Sequence, residues 1–126
     1  MQPVIVEISL GELIDKITIL QIKIVHLKGN ALENVKRELN TLENTLSKLD
    51  INIDLSLIRK LKEVNQKLWN IEDDIRDQER QKSFKNEFIE LARSVYKQND
   101  IRASIKKEIN TLYHSSITEE KSYQKY

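Results

Sequence analysis

Almost nothing in this chain can stop a helix. Only Gly11, Gly29 and Pro3 interrupt 126 residues, two glycines and one proline in all. Wherever apolar side chains recur at helical spacing, a helix is therefore the expected outcome. They recur along most of the chain. Ser9 stands three residues before Glu12, the capping-box spacing, which predicts a first helix from Leu10 to about residue 28. Its seam runs Leu10, Leu13, Ile17, Leu20, Ile24, Leu27. A second row, Ile14, Ile22 and Val25, widens the stripe and should make this helix the most buried. Gly29-Asn30 is expected to end it, because both residues tolerate the left-handed conformation of a helix C-terminus.

Leu32, Val35, Leu39, Leu42, Leu46 and Leu49 repeat the seam over about 31–49. Two seams of equal length across a short connection predict an antiparallel helical hairpin. Asp54 is the expected N-cap of a third helix over about 55–81, with its apolar row at Leu57, Leu61, Val64, Leu68, Ile71 and Ile75. Ser83, with Glu87 downstream, marks the entry to a fourth over about 84–113. The fold class is thus all-α: a single domain of two antiparallel hairpins forming a four-helix bundle. A short extended arm over 1–9 carries the β-branched Val4-Ile5-Val6-Glu7-Ile8, and a polar tail covers 114–126. Arm and tail should meet at one end of the bundle, as a small strand pair or a strand exchanged between protomers.

Charge and composition exclude several roles. With 21 basic and 20 acidic residues the net charge is +1, so no global field draws nucleic acid or an anionic membrane. No run approaches the roughly 18 apolar residues of a membrane-spanning helix, and Met1–Ser9 has no basic leader. The absence of cysteine removes disulfides and thiolate nucleophiles and fits a reducing cytoplasm. A cytoplasmic protein with neither nucleic-acid nor membrane partners is expected.

Two polar breaks in the helical pattern carry what functional signal there is. Trp69, Glu72, Asp73 and Arg76 share one face of the third helix. The seam of the fourth passes from Phe88, Leu91 and Val95 through Gln98 and Arg102, beside Asn99 and Asp100. If these helices are antiparallel about a turn near residue 82, Trp69 lies near Tyr96, Glu72 near Arg93 and Asn65 near Asn99. The expected result is a polar layer of Trp69, Glu72, Asp73, Arg76, Arg93, Tyr96, Asn99, Asp100 and Arg102. It suits a register-fixing network, a partner surface, or a ligand site in which arginines bind phosphate and aromatic rings stack on a sugar.

Paired acids on neighbouring helices, Glu12 with Asp15 and Glu72 with Asp73, raise the alternative of Mg²⁺. In an up-down-up-down bundle, Glu72 lies roughly 22 Å too far along the axis for one protomer to join both pairs. Glu12 and Asp15 are more simply helix N-terminal residues. His26 and His114 are isolated and read as surface or capping residues. Ser94, Ser104 and Ser122 have no evident base, and Lys106-Lys107 reads as a solvated face. No catalytic residue, metal ligand or cofactor is assigned.

Four blocks resemble a family of small bacterial and phage proteins known as a domain of unknown function. They are Gly11–Lys23 (GELIDKITILQIK), Leu68–Arg80 (LWNIEDDIRDQER), Phe88–Asn110 (FIELARSVYKQNDIRASIKKEIN) and Glu119–Tyr123 (EEKSY). The resemblance implies no activity. It marks Gly11, Glu12, Asp15 and Lys16 as a helix 1 motif, together with Trp69, Glu72, Asp73, Arg76, Arg93, Tyr96, Asn99 and Asp100. The expectation is a homodimeric, non-enzymatic interaction or adaptor protein with a protein partner. The alternative is a small-molecule-binding module or Mg-dependent hydrolase for a phosphorylated or sugar-nucleotide compound.

Overall fold

The computed structural model covers residues 1–126 and contains four helices: α1 (Leu10–His26), α2 (Gly29–Ser47), α3 (Leu55–Arg80) and α4 (Asn86–Leu112). The hub is α1, which packs on all three others; α3 also packs on α4, whereas α2 meets neither α3 nor α4. The result is an all-α four-helix bundle with one side left open, between α2 and α3.

The seams explain the hub. Leu13, Ile17 and Leu20 of α1 bury against Val35 and Leu39 of α2. Leu10 and Ile14 turn the other way, into a cluster with Leu57, Leu61, Val64, Ile105 and Ile109 from α3 and α4. The second apolar row of α1 is thus consumed largely inside the chain: Ile14 and Ile22 are buried, and only Val25 is exposed. That row therefore leaves little exposed apolar surface on α1.

The start of α1 is held by side-chain acceptors. Ser9 Oγ accepts from the Glu12 N–H at 3.1 Å, Asn110 Oδ1 from Gly11 at 2.7 Å, and Ser115 Oγ from Leu10 at 3.1 Å. The N–H groups of Leu10, Gly11 and Glu12, which have no helical partner, are thus satisfied, two of them by residues about a hundred positions away. The Ser9 cap stands as expected, but the side chain of Glu12 bonds elsewhere.

Other boundaries shift for local reasons. Gly29, at φ 62°, opens α2 instead of closing α1, which ends at His26 before extended Leu27 and Lys28. The second helix stops at Ser47, leaving Leu49 outside it. Asp54 caps α3 as expected, its carboxylate accepting from Ser56 N–H at 2.8 Å. Ser83 does not cap α4, which starts at Asn86. Its N–H instead reaches the Gln78 carbonyl at 2.9 Å while Lys82 N–H reaches Glu79 at 3.0 Å. This is a Schellman closure of α3 with Lys82 in the left-handed region at φ 54°. The same closure ends α4 through His114, at φ 55°, and Ser115.

Residues 1–8 of the arm are exposed and form neither helix nor strand. The expected strand pair between arm and tail is absent because the tail turns back over α4. Glu119 and Glu120 reach Lys106 and Lys107, and the Tyr126 ring packs edge-on against Tyr96 at 5.1 Å.

Gly11 sits at a close approach of α1 to α4. A Cβ built there would lie 2.5 Å from the Lys106 carbonyl oxygen and 2.9 Å from Asn110 Oδ1. Helix propensity alone would make Gly11→Ala stabilising by about 1 kcal/mol. The backbone clash reverses the sign, and a net loss of about 1–2 kcal/mol is expected. A urea midpoint at or above that of the parent chain would refute the close crossing.

Candidate functional site

The residues that bring chemistry together lie between α1 and α4. On α4, Arg102, Lys106 and Asn110 recur every four residues and so form one stripe. On antiparallel α1 each meets a counterpart: Arg102 meets Asp15, Lys106 meets Glu12, and Asn110 meets the Gly11 backbone. The stripe is a polar ladder that joins the first turns of α1 to the second half of α4.

Its innermost rung is a fully buried carboxylate. Asp15 is 0% exposed. Arg102 grips it with two bonds, Nε to Oδ1 at 2.9 Å and a terminal nitrogen to Oδ2 at 2.5 Å. From α3, Asn65 Nδ2 donates to Asp15 Oδ1 and to Thr18 Oγ1, both at 2.9 Å, while the Thr18 hydroxyl donates to the Asp15 carbonyl at 2.8 Å. Three helices thus converge on one carboxylate. The bonds to Asp15 outweigh burial and hold the Arg102 pKa above the ordinary arginine value.

The next rung is Lys106, only 7% exposed. Its ammonium donates to Glu12 at 2.6 Å and to Glu119 of the tail at 3.0 Å. Burial opposes its charge, yet these two carboxylates more than compensate, so its pKa is raised. Lys16 also lies 3.8 Å from Glu12. Above this rung an open cleft of about 380 Å³ is lined by Glu12, Asn99, Asp100, Lys106, Lys121 and Tyr123, among others. Its cations are engaged: Arg102 by Asp15, Lys106 by two glutamates, and Lys121 by Glu119 at 2.8 Å.

The expected polar layer between α3 and α4 is divided among other partners. Glu72 pairs with Arg76 one turn along its own helix, and Arg93 pairs with Glu90 at 3.0 Å. Trp69 stacks on His26 with ring centroids 4.7 Å apart, and its indole N–H is buried with no acceptor. Asn65 turns to α1 rather than to Asn99, and Tyr96 meets Tyr126. Asp73 is exposed, and Asp100 lies in the cleft, where its bond to the Tyr126 hydroxyl raises the tyrosine pKa. Within the candidate set, only Arg102 joins the helix 1 motif.

Sequence reasoning missed Thr18, Asn65, Lys106, Asn110, Ser115 and Glu119 as members of this network. A signal for α4 was present. Arg102, Lys106 and Asn110 repeat at four-residue spacing on a face that also borders the buried Ile105 and Ile109.

Removing one partner of the buried pair leaves the other charged and unpaired. Asp15→Ala or Arg102→Ala is expected to cost about 3–5 kcal/mol in urea unfolding, while Asp15→Leu with Arg102→Leu together costs less than either single change. Additive losses in the double variant would refute the pairing.

A pH prediction follows from the tail. Lys121 first, and then Lys106, lower the Glu119 pKa from 4.5 to about 2. Because the folded value lies below the unfolded one, the tail's attachment through Glu119 is complete above 4.5 and is lost as pH falls toward 2. A carboxyl titration by NMR should show the depressed midpoint, and a midpoint near 4.5 would show that the tail is not held this way.

No curated protein and no solved structure matches the chain. Residues 4–126 match the family described as "Family of unknown function (DUF6165)", and the chain belongs to it.

Proposed function

We propose that this protein is a non-enzymatic, homo-oligomeric interaction protein whose docking element is the outer half of the α3–α4 hairpin. One observation carries this. His26, the last residue of α1, stacks on Trp69, and α3 continues to Arg80, roughly 17 Å further. Beyond that point the hairpin has no third helix. No residue between Asn65 and Ile105 is buried, although Leu68, Ile71, Ile75, Phe88, Leu91 and Val95 continue the apolar seams. Phe84 and Ile89 are exposed on the same projection. A projecting helical pair with apolar side chains outside its own seam is the geometry of helix-on-helix recognition.

Asp15 and Glu12 each hold a cation that joins α1 to α4, which supports a structural task for both.

A photo-crosslinking residue at Ile89 should give a discrete protein adduct in expressing cells, and the same residue at exposed Lys62 should not. Equal labelling at both positions would defeat the proposal.

A role in binding a small phosphorylated or sugar compound, with or without Mg²⁺, is favoured by the cleft beside Tyr123, Asn99 and Lys106. It predicts thermal stabilisation of about two degrees or more by nucleotides, sugar nucleotides or Mg²⁺. That stabilisation would be lost in Asp100→Ala and Lys121→Ala.

A further inference from the structure

Lys106 is a buried cation with two anionic partners, and only one of them belongs to the packed helices. It donates to Glu12 of α1 at 2.6 Å and to Glu119 of the tail at 3.0 Å. Every residue from Ser116 to Tyr126 is exposed, so little apolar burial holds the tail in place. The Glu119 side chain is 42% exposed and also bonds Lys121. Its carboxylate can therefore swing off Lys106 into solvent, still paired to Lys121, without disturbing a helix.

What it would uncover is one face of α4. Asn99, Arg102, Ala103 and Lys106 recur at steps of three and four and line the cleft of about 380 Å³. Arg102 uses Nε and one terminal nitrogen on Asp15, and its other terminal nitrogen makes no hydrogen bond. Asn99 adds an exposed amide, and Ala103 is the small residue that keeps the space between them open.

We propose that this face binds the phosphate group of a small molecule, and that Glu119 is the chain's own competitor for it. The proposal rests on the small-compound reading of the cleft and names the group recognised. Glu119 is the observation that points to an anion, because Lys106 takes a second negative group while still bound to Glu12. The donor set selects which anion. An ammonium, the free edge of a guanidinium and an amide offer more N–H groups than the two oxygens of a carboxylate need. A phosphate ester presents three strong acceptor oxygens. Two nearby carboxylates would oppose it, and both are occupied. Glu12 bonds Lys106 and has Lys16 at 3.8 Å, while Asp100 bonds the Tyr126 hydroxyl. The remaining volume admits the body of the compound, and the exposed Tyr123 ring at its edge offers a stacking surface.

NMR titration of the full chain tests this, with inorganic phosphate, ribose 5-phosphate and ribose as the probes. Circular dichroism confirms that each variant keeps its helices. Phosphate should move the signals of Asn99, Lys106 and Glu119, and ribose 5-phosphate should move the same signals at lower concentration. Ribose should move none of them. Glu119→Gln should bind phosphate about three- to tenfold more tightly, because the competing carboxylate is gone. Ala103→Leu fills the cleft without touching a charge of the ladder, and it should abolish binding. Absence of phosphate binding in Glu119→Gln overturns the proposal. Equal affinity in the parent and Glu119→Gln overturns it too, as does binding that survives Ala103→Leu. If ribose or Mg²⁺ binds the parent and phosphate does not, the phosphate site falls while the small-compound reading stands.

Discussion

The structure depends on one buried charge. Asp15 sits on the central helix with no exposed surface, and its carboxylate meets Arg102 from α4 and Asn65 from α3. A buried ion pair is a weak source of net stability, because desolvating both groups offsets most of their attraction. Its effect is on alternatives. Sliding α4 by one turn against α1 would set Lys106 or Gln98 opposite Asp15 and lose the two-bond Arg102 grip, which costs more than repacking a leucine seam. The apolar clusters of Leu, Ile and Val tolerate many registers, and the Asp15 rung allows one.

From that register the rest of the ladder follows. Once Arg102 is opposite Asp15, the four-residue repeat on α4 brings Lys106 to Glu12 and Asn110 to Gly11. The crossing at Gly11 is then close enough that no side chain fits there, and the first turn of α1 obtains its acceptors from the far end of the chain. Helix termini are normally where bundles fray. Here the start of α1 is pinned by the end of α4, and the connection before α3 is pinned by Tyr113, whose hydroxyl accepts from Asp54 N–H at 2.6 Å. The well-tied end of the molecule is therefore the end that carries the arm and tail, while the opposite end, the α3–α4 tip, lacks such ties.

Local features were legible in the sequence and distant polar pairings were not. Seams at three- and four-residue steps located all four helices, and the caps at Ser9 and Asp54 located two of their starts. These signals are complete within a few residues. Asp15 and Arg102 are separated by 87 positions, and nothing near Asp15 distinguishes a core carboxylate from a helix N-terminal acid. The Leu68–Arg80 stretch drew attention for its density of charge, yet Glu72–Arg76 and Asp77–Arg80 close within one helix. Charges that can pair at three- or four-residue spacing need no partner across the bundle. Arg102 had no such neighbour placed to serve it, and Lys106 looked like half of a solvated lysine pair. The better guide is a charged residue at a seam position lacking an opposite charge one turn away.

Lys106 also shows how the tail joins the fold without a core of its own. Glu12 alone neutralises the ammonium, so Glu119 is a second acceptor on a group already paired. The tail bond is therefore the cheaper of the two to break. Removing Glu119 leaves Lys106 still paired to Glu12, whereas removing Glu12 leaves Lys106 dependent on a tail that offers little buried apolar surface. Lys106 holds one Glu119 oxygen and Lys121, within the tail, holds the other, so one carboxylate joins a buried and an exposed ammonium. Ionic strength weakens the exposed member first, and the buried contact between α4 and the tail is then what remains.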